Sequence, residues 1–382
     1  AGEIATGRVD DLGAFVTEAW TGPQVAWTMA RGYPGAFGGT VLNRVDVWLV
    51  LCAVFLVGLA DLRRPLSLRN LDLVALLSFS VSLWFFNKGR VFTSVPLVYP
   101  GLAYLLGRMI WIGARGRPVR ASRPVWPVWL LVAATIFLVG FRIGLNAADS
   151  NVIDVGYSGV IGAQRIASGQ VPYGNFPQEV GKACAAPDAS GRTQYRIQPN
   201  GRCEASDVNG DTYGPVNYLA YLPGYWALGW KGIGDKLDAA RFTSVLFDVL
   251  CVVALGIAGL RLGGRRLGAT LAFAWAAYPF TQYVSSADSN DAIQPLFLIL
   301  GLLVLSLPAD RGAFFALAGW TKFSSLIAAP LWATYPERSR SGVLRFAGGF
   351  LVASLLAWWV LLLDGHPIHA LQVAWDRTVP HQ

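Results

Sequence analysis

Two short acidic turns carry the side chains best suited to chemistry in this sequence. One is NAADSNVID, with Asp149 and Asp154; the other is SSADSND, with Asp288 and Asp291. A carboxylate at the wall between lipid and water can take a proton from a sugar hydroxyl. Asp149, Asp154 and Asp291 serve equally well as helix N-caps, and both readings stay open. Two cations complement the acids. Arg241 opens an apolar run (LDAARFTSVLF), and Lys322 interrupts another (GWTKF). An ionisable group at membrane depth is costly and marks a pathway or a ligand. It can hold a phosphate by charge-assisted hydrogen bonds and stabilise a departing one; the alternative is snorkelling to the headgroups. Asp211, Tyr213, Tyr218 and Tyr221 can line a sugar site, although interfacial aromatics often serve only as anchors.

Other polar groups point less clearly to chemistry. Cys184 and Cys203 flank a polar segment of 18 residues. A disulfide between them is expected, in keeping with an oxidising outer compartment, and it would staple a loop with little core of its own. Cys52 and Cys251 lie inside apolar runs and read as packing residues. Lys182, Arg192 and Arg196 read as solvated loop charges. Asp364, His366, His369, Asp376, Arg377 and His381 gather after the last apolar run. There is no CxxC, no HExxH, no Walker loop and no GxGxxG between a strand and a helix. No cofactor is therefore required, with a divalent metal at the acidic turns kept as a minor alternative.

The elements that must position these groups are membrane helices. Of 382 residues, 54% are hydrophobic and 14% charged, with mean hydropathy +0.45; a soluble domain carries about a quarter charged residues. The net charge of +8 sits in short turns between apolar runs, where it sets topology and does not signal nucleic acid. The pattern predicts an all-α polytopic membrane protein with about eight spans, near 45–61, 71–86, 92–113, 125–145, 240–260, 267–284, 292–307 and 343–363. No N-terminal signal peptide is visible, and residues 1–44 read as an amphipathic surface segment and loop. Residues 1–124 form an N-terminal part with three accessory spans, and 125–382 a second module with a long outer loop at 146–239.

Placing the basic turns at 62–70 and 114–124 in the cytoplasm puts that loop outside. GPVNYLAYLPGYWALGW, at 214–230, then lies along the interface, because counting it as a span would send the RLGGRR turn outward. Residues 312–335 begin and end at basic turns, so two half-length helices are expected to form a re-entrant hairpin with Lys322 near its tip. The chain opens at Ala1 without a Met and stops at Gln382 soon after a span; these read as trimmed ends, with further sites expected beyond either one.

The order of IDVGYSGVIGAQRIASGQVPYG, DTYGPVNYLAYLPGYW, AARFTSVLFDVL, RRLG, SSADSND and TKFSSLIAAPL resembles the polytopic GT-C glycosyltransferases. It is most similar to the actinobacterial branch near family 87, the polyprenyl-phosphate-mannose-dependent mannosyltransferases. The resemblance spans residues 125–382. It implies a GT-C-like helical bundle with interfacial helices in the outer loop. It implies a catalytic Asp in that loop (Asp154, with Asp149 second), a basic residue opening the next span (Arg241), a second acidic turn (Asp288, Asp291) and a Lys in a broken helix (Lys322). The implied reaction is inverting transfer of mannose or arabinose from a polyprenyl-phosphate donor to an extracytoplasmic glycolipid or glycan, with the protein in the plasma (inner) membrane. The three spans before residue 114 and the stop at Gln382 depart from the family arrangement. A transporter or flippase of lipid-linked sugars is the alternative, and a structural partner with a degenerate site is a third option. Transporters, however, tend to carry repeated halves, and no internal repeat is visible here.

Overall fold

The computed structural model describes residues 5–10, 15–21, 37–88, 90–115, 125–174, 176, 195–197, 203–205, 210–231, 236–336 and 338–378. Two compact units divide the chain, Ala1–Val125 and Trp126–Gln382. Helices dominate both. Among the described residues five helices are long and apolar enough to cross a membrane: Leu68–Asn87, Phe92–Arg115, Val128–Asp149, Asp238–Ala277 and Arg340–Leu362.

The first unit opens with an antiparallel hairpin, β1 (Ala5–Asp10) and β2 (Phe15–Thr21), within the stretch expected to be an amphipathic surface segment. The β-branched and aromatic content of FVTEAWT favours the strand. Then come α1 (Val45–Leu59), α2 (Leu68–Asn87) and α3 (Tyr99–Arg115). Ser67 caps α2, accepting from the Asn70 amide at 3.4 Å. Trp48 Nε1 donates to Ser80 Oγ at 3.0 Å, tying α1 to α2. Asp72 on α2 accepts from Tyr104 Oη at 2.7 Å and Arg108 Nε at 3.0 Å, tying α2 to α3.

The second unit begins with α4 (Val128–Asp149). Its buried residues, Leu131, Thr135, Leu138, Arg142 and Asn146, form one helical stripe. The chain continues through α5 (Asp154–Ala167), the short strands β3 (Tyr195–Ile197) and β4 (Cys203–Ala205), and α6 (Pro215–Leu228). Next is α7 (Asp238–Ala277), broken at Gly263–Gly264. At Gly264 φ is +77°, a value that favours glycine. The arms on either side fold back on each other: a Cβ on Gly259 would lie 2.5 Å from Gly268 Cα. The RLGGRR segment is thus a turn between two antiparallel arms. After α8 (Pro279–Ser286) come α9 (Ile293–Leu303) and α10 (Pro308–Gly319). A 3-10 segment at Phe323–Ala328 leads into α11 (Ala329–Thr334), then α12 (Arg340–Ala357) and α13 (Pro367–Thr378).

The eight expected spans differ from these five long helices in two ways: the runs at 240–260 and 267–284 are arms of the one broken helix Asp238–Ala277, and two others are short. The 15 residues of α1 reach about 22 Å and the 11 of α9 about 16 Å, short of a hydrocarbon layer of about 30 Å. Within residues 312–335, α10 ends at Gly319 and packs against the 3-10 segment and α11 that follow it. A Cβ on Gly319 would lie 2.4 Å from Leu326 Cδ2, and the Phe315 and Trp332 rings are 5.3 Å apart. Lys322 sits between α10 and the 3-10 segment.

Among the cysteines, Cys52 and Cys251 are free thiols. The expected disulfide partner Cys184 lies outside the described residues, and Cys203 is described by its backbone alone. Lys182, Arg192 and His381 also lie outside the described residues, and Arg196 and Arg377 are described by backbone only.

Candidate active site

The site is assembled by glycines that let other elements approach α5. Gly156, Gly159 and Gly162 recur along one helix face. A Cβ at Gly162 would lie 2.1 Å from Tyr218 Cδ1, one at Gly159 2.4 Å from Tyr221 Cε2, and one at Gly156 2.4 Å from the Asp288 carbonyl oxygen. Contacts under 3 Å leave no room for a side chain, so only glycine admits both tyrosine rings and the acidic turn. The polypeptide just before α5 bonds to that same turn. The Asn151 amide donates to Ser286 O at 3.0 Å, and the Ile153 amide donates to Ala287 O at 3.1 Å. The two acidic turns singled out in the sequence are therefore joined backbone to backbone.

Asp288 is fully buried and adopts φ +50°, a left-handed conformation that Asp tolerates better than most residues. Its Oδ1 accepts from Asn146 Nδ2 at 2.5 Å. Arg241 Nε lies 4.0 Å from its Oδ2. Arg241 also donates through Nη2 to Ser150 O at 3.3 Å and stands 3.6 Å from Asp238. It thus bridges the opening of α7, the end of α4 and the buried acid. Asp291, in the next turn, is half exposed and forms an ion pair with Lys322 Nζ. Ser289 Oγ donates to Asp291 Oδ2 at 2.8 Å. Lys322 lies 5.8 Å above the Tyr213 ring, and its carbonyl oxygen accepts from Gln294 Nε2 at 2.7 Å.

The start of α6 closes the group. The Val216 amide donates to Trp320 O at 3.1 Å, and a Cβ on Gly214 would lie 2.0 Å from that same oxygen. Asn290 Nδ2 donates to Asn217 Oδ1 at 2.7 Å, both residues being fully buried. Asp211, buried, accepts from the Gly174 amide at 2.8 Å. Tyr173 Oη donates to Tyr213 O at 3.0 Å, and Tyr218 Oη accepts from the Tyr213 amide at 3.2 Å. Burial, and after it the charge of Asp211, pushes the Tyr173 hydroxyl well above the ordinary phenol range. Burial does the same to Tyr221, with Asp288, Tyr213 and Asp291 adding to the shift, so this hydroxyl lies in the field of both acids. Tyr221 Oη, Asn217 Nδ2, Asn290 Oδ1 and Ser285 Oγ are buried without a hydrogen-bond partner. Such atoms are ordinarily met by ordered water or by ligand hydroxyls.

The fold thus brings Arg241, Asp288, Asp291, Lys322, Tyr213 and Tyr218 into one connected network, with Asp211 at its margin. Asp154 stands at the first turn of α5, where its Oδ1 accepts from the Val155 amide at 2.9 Å and a negative charge suits the helix dipole. Asp149 ends α4, half-buried. Among the described residues no group of three His, Cys, Asp or Glu converges as a metal site would require. Asp288 and Asp291 are each engaged by a cation, so they fit a divalent metal poorly.

Sequence reasoning missed one ionic lock beside this site. Arg142 on α4 and Asp248 on α7 form a buried bidentate pair, Nε to Oδ2 at 2.8 Å and Nη2 to Oδ1 at 2.6 Å. Trp275 Nε1 donates to Asp248 Oδ1 at 2.8 Å, and Arg142 Nη1 donates to Ala276 O at 3.1 Å and Thr281 Oγ1 at 3.2 Å. The available signal was a lone charge inside each of two apolar runs, LVGFRIG and SVLFDVL, a pairing pattern expected at membrane depth. Comparison with protein-family models, with curated proteins and with solved structures finds no match.

Proposed function

We propose that the Trp126–Gln382 unit is a glycosyltransferase that moves a sugar from a polyprenyl-phosphate donor to a glycolipid or glycan acceptor. The observation that carries this reading is one acidic turn that meets two cations, through Asp288–Arg241 and Asp291–Lys322, and is bonded through its backbone to the stretch between Asp149 and Asp154. In this mechanism the donor phosphate meets Arg241 and Lys322 by charge-assisted contacts. The acceptor hydroxyl gives its proton to Asp154. Its oxygen forms a bond to the anomeric carbon as the bond from that carbon to the phosphate oxygen breaks, and the lipid phosphate leaves with the electron pair. The two cations stabilise the charge that develops on it. A single displacement inverts the anomeric configuration. The buried atoms of Tyr221, Asn217 and Asn290 offer hydroxyl-sized partners for the sugar.

The membrane arrangement belongs to the same proposal. The turns around Arg63–Arg64, Arg261–Arg266 and Arg338–Arg340 face the cytoplasm by the positive-inside rule, and the acidic turns lie on the opposite side of the plasma membrane. About eight crossings are reached by counting both arms of α7 and by local thinning of the bilayer around the shorter α1 and α9, and the Lys322 segment enters without spanning. The break at Lys322 also suits a flippase, because transporters bind at discontinuous helices.

The test is incubation of purified protein with polyprenyl-phosphate mannose or arabinose, radiolabelled in the sugar, and acceptor lipids. The expected result is labelled acceptor made by the wild type and none by Asp154→Asn, with thermal stability of that variant near wild type. Full activity of Asp154→Asn would refute the base assignment. Movement of labelled lipid across a vesicle without turnover would replace the enzyme by a flippase.

A further inference from the structure

The first unit holds a cleft that the sugar-transfer reading does not use. Its volume is about 360 Å³, and it lies between the start of α1 and the end of α2. Trp48, Leu49, Val81 and Trp84 form its apolar walls. Leu49, Val81 and Trp84 are 61%, 52% and 45% exposed, on helices that are apolar along their length. Such a wall is unfavourable in water and natural against hydrocarbon. One end of the cleft is polar. Asn87 Nδ2 donates to Asn43 Oδ1 at 2.5 Å, and both residues line the opening. Lys88 Nζ stands 4.1 Å over the Trp84 ring, so its charge sits at that rim. Arg90 follows two residues later in the sequence, and Arg44 is the N-cap of α1. The one carboxylate nearby in sequence, Asp46, is spent on Arg44 at 2.7 Å.

The cation at the rim selects the occupant: a lipid laid along the apolar walls brings its own anionic head to Lys88, whereas an apolar partner helix leaves that charge without an anion. We infer that this cleft binds an anionic phospholipid, with one acyl chain along Trp48, Leu49, Val81 and Trp84 and the phosphate at Lys88. The ring of Trp84 does double duty, packing on the chain and holding Lys88 at the rim by a cation–π contact.

The experiment uses the full chain in nanodiscs of phosphatidylcholine containing a trace of phosphatidylglycerol that bears a photoreactive acyl chain. Cross-linked peptides are mapped by mass spectrometry. The expected labels fall within 42–49 and 80–87. They are competed about fivefold better by phosphatidylglycerol than by phosphatidylcholine, the preference one basic residue near the surface confers. Lys88→Gln, at an exposed position, removes that preference and leaves the labelling positions unchanged. Val81→Trp fills the cleft and abolishes labelling by either lipid. Equal competition by the two lipids in the wild type overturns the inference, as do labels lying elsewhere on the chain. So does competition by a polyprenyl phosphate where phosphatidylglycerol fails, which would give the cleft to an isoprenoid lipid.

Discussion

The Arg142–Asp248 pair offers the sharpest test of how the second unit is held together. Their side chains are 2% and 5% exposed, so neither charge has water to fall back on. Replacing Asp248 by Leu keeps similar bulk and leaves the guanidinium with only Ala276 O, Thr281 Oγ1 and a weak contact to Trp275 O. An uncompensated buried charge of this kind costs about 3–5 kcal/mol. For a unit of this size each kcal/mol shifts the melting temperature by about 2–4 °C, so the expected fall is roughly 6–20 °C. Arg142→Met should cost a similar amount, because it strands the carboxylate with Trp275 Nε1 as its remaining donor.

The double variant is the decisive arm. With both charges gone, the main loss is the acceptor for the Trp275 indole, and an unsatisfied buried donor costs about 1–3 kcal/mol. Thr281 Oγ1 keeps a carbonyl acceptor for its one proton, Trp275 O at 2.7 Å or Tyr278 O at 2.8 Å. Arg142→Met/Asp248→Leu should therefore melt above either single variant. Thermal unfolding in one detergent, followed by loss of the monodisperse chromatographic peak, reads all four proteins side by side. Additive losses, or a single variant that melts with the wild type, would show that the pair is not the interhelical lock argued here.

Three further outcomes follow from the same geometry. Gly156→Ala puts a methyl 2.4 Å from the Asp288 carbonyl and 2.7 Å from Val152 Cγ1; it should destabilise by about 1–3 kcal/mol and lower sugar transfer by displacing the turn, as thermal shift and turnover would register. Asp291→Asn should release Lys322 for the donor phosphate, lowering the donor KM while the protein stays folded; an unchanged or raised KM would separate Lys322 from the phosphate. Tyr173, Tyr218 and Tyr221 are all raised well above 10.0, first by burial. A raised folded value means their protonated form is favoured by the fold, so this stability is full below pH about 10 and is lost as pH climbs toward the folded values. Phenolate absorbance should show these three of the 13 tyrosines titrating only as the protein unfolds.

What could be read in the sequence follows the range of the forces involved. Apolar length is a local property, so the runs that became α2, α4 and α12 were visible directly. The turn at Gly263–Gly264 and the break at Lys322 announced themselves by polar residues between apolar ones. The interior of the site was less legible. In α5 the packing is decided by Gly156, Gly159 and Gly162, which contribute no side chain to count. Likewise the sequence offers Arg241 and Lys322 as hands for a phosphate, and the fold gives each of them a carboxylate.

That last difference has a physical origin with consequences for mechanism. Four ionised groups cannot share a half-buried site unless opposite charges sit together, because each alone would face the desolvation cost of its surroundings. The two pairs are not equivalent. Asp288 is fully buried and anchored by Asn146, while Asp291 is 47% exposed. Under the sugar-transfer reading a phosphate competes most easily for Lys322, where the displaced carboxylate can turn to water. Arg241 keeps Asp288 and offers the phosphate the guanidinium edge that Asp288 does not occupy. Donor binding should therefore weaken more steeply with salt in Asp288→Asn than in Asp291→Asn. Losing the buried acid also loosens the geometry that presents Arg241, whereas losing the exposed one only removes a competitor.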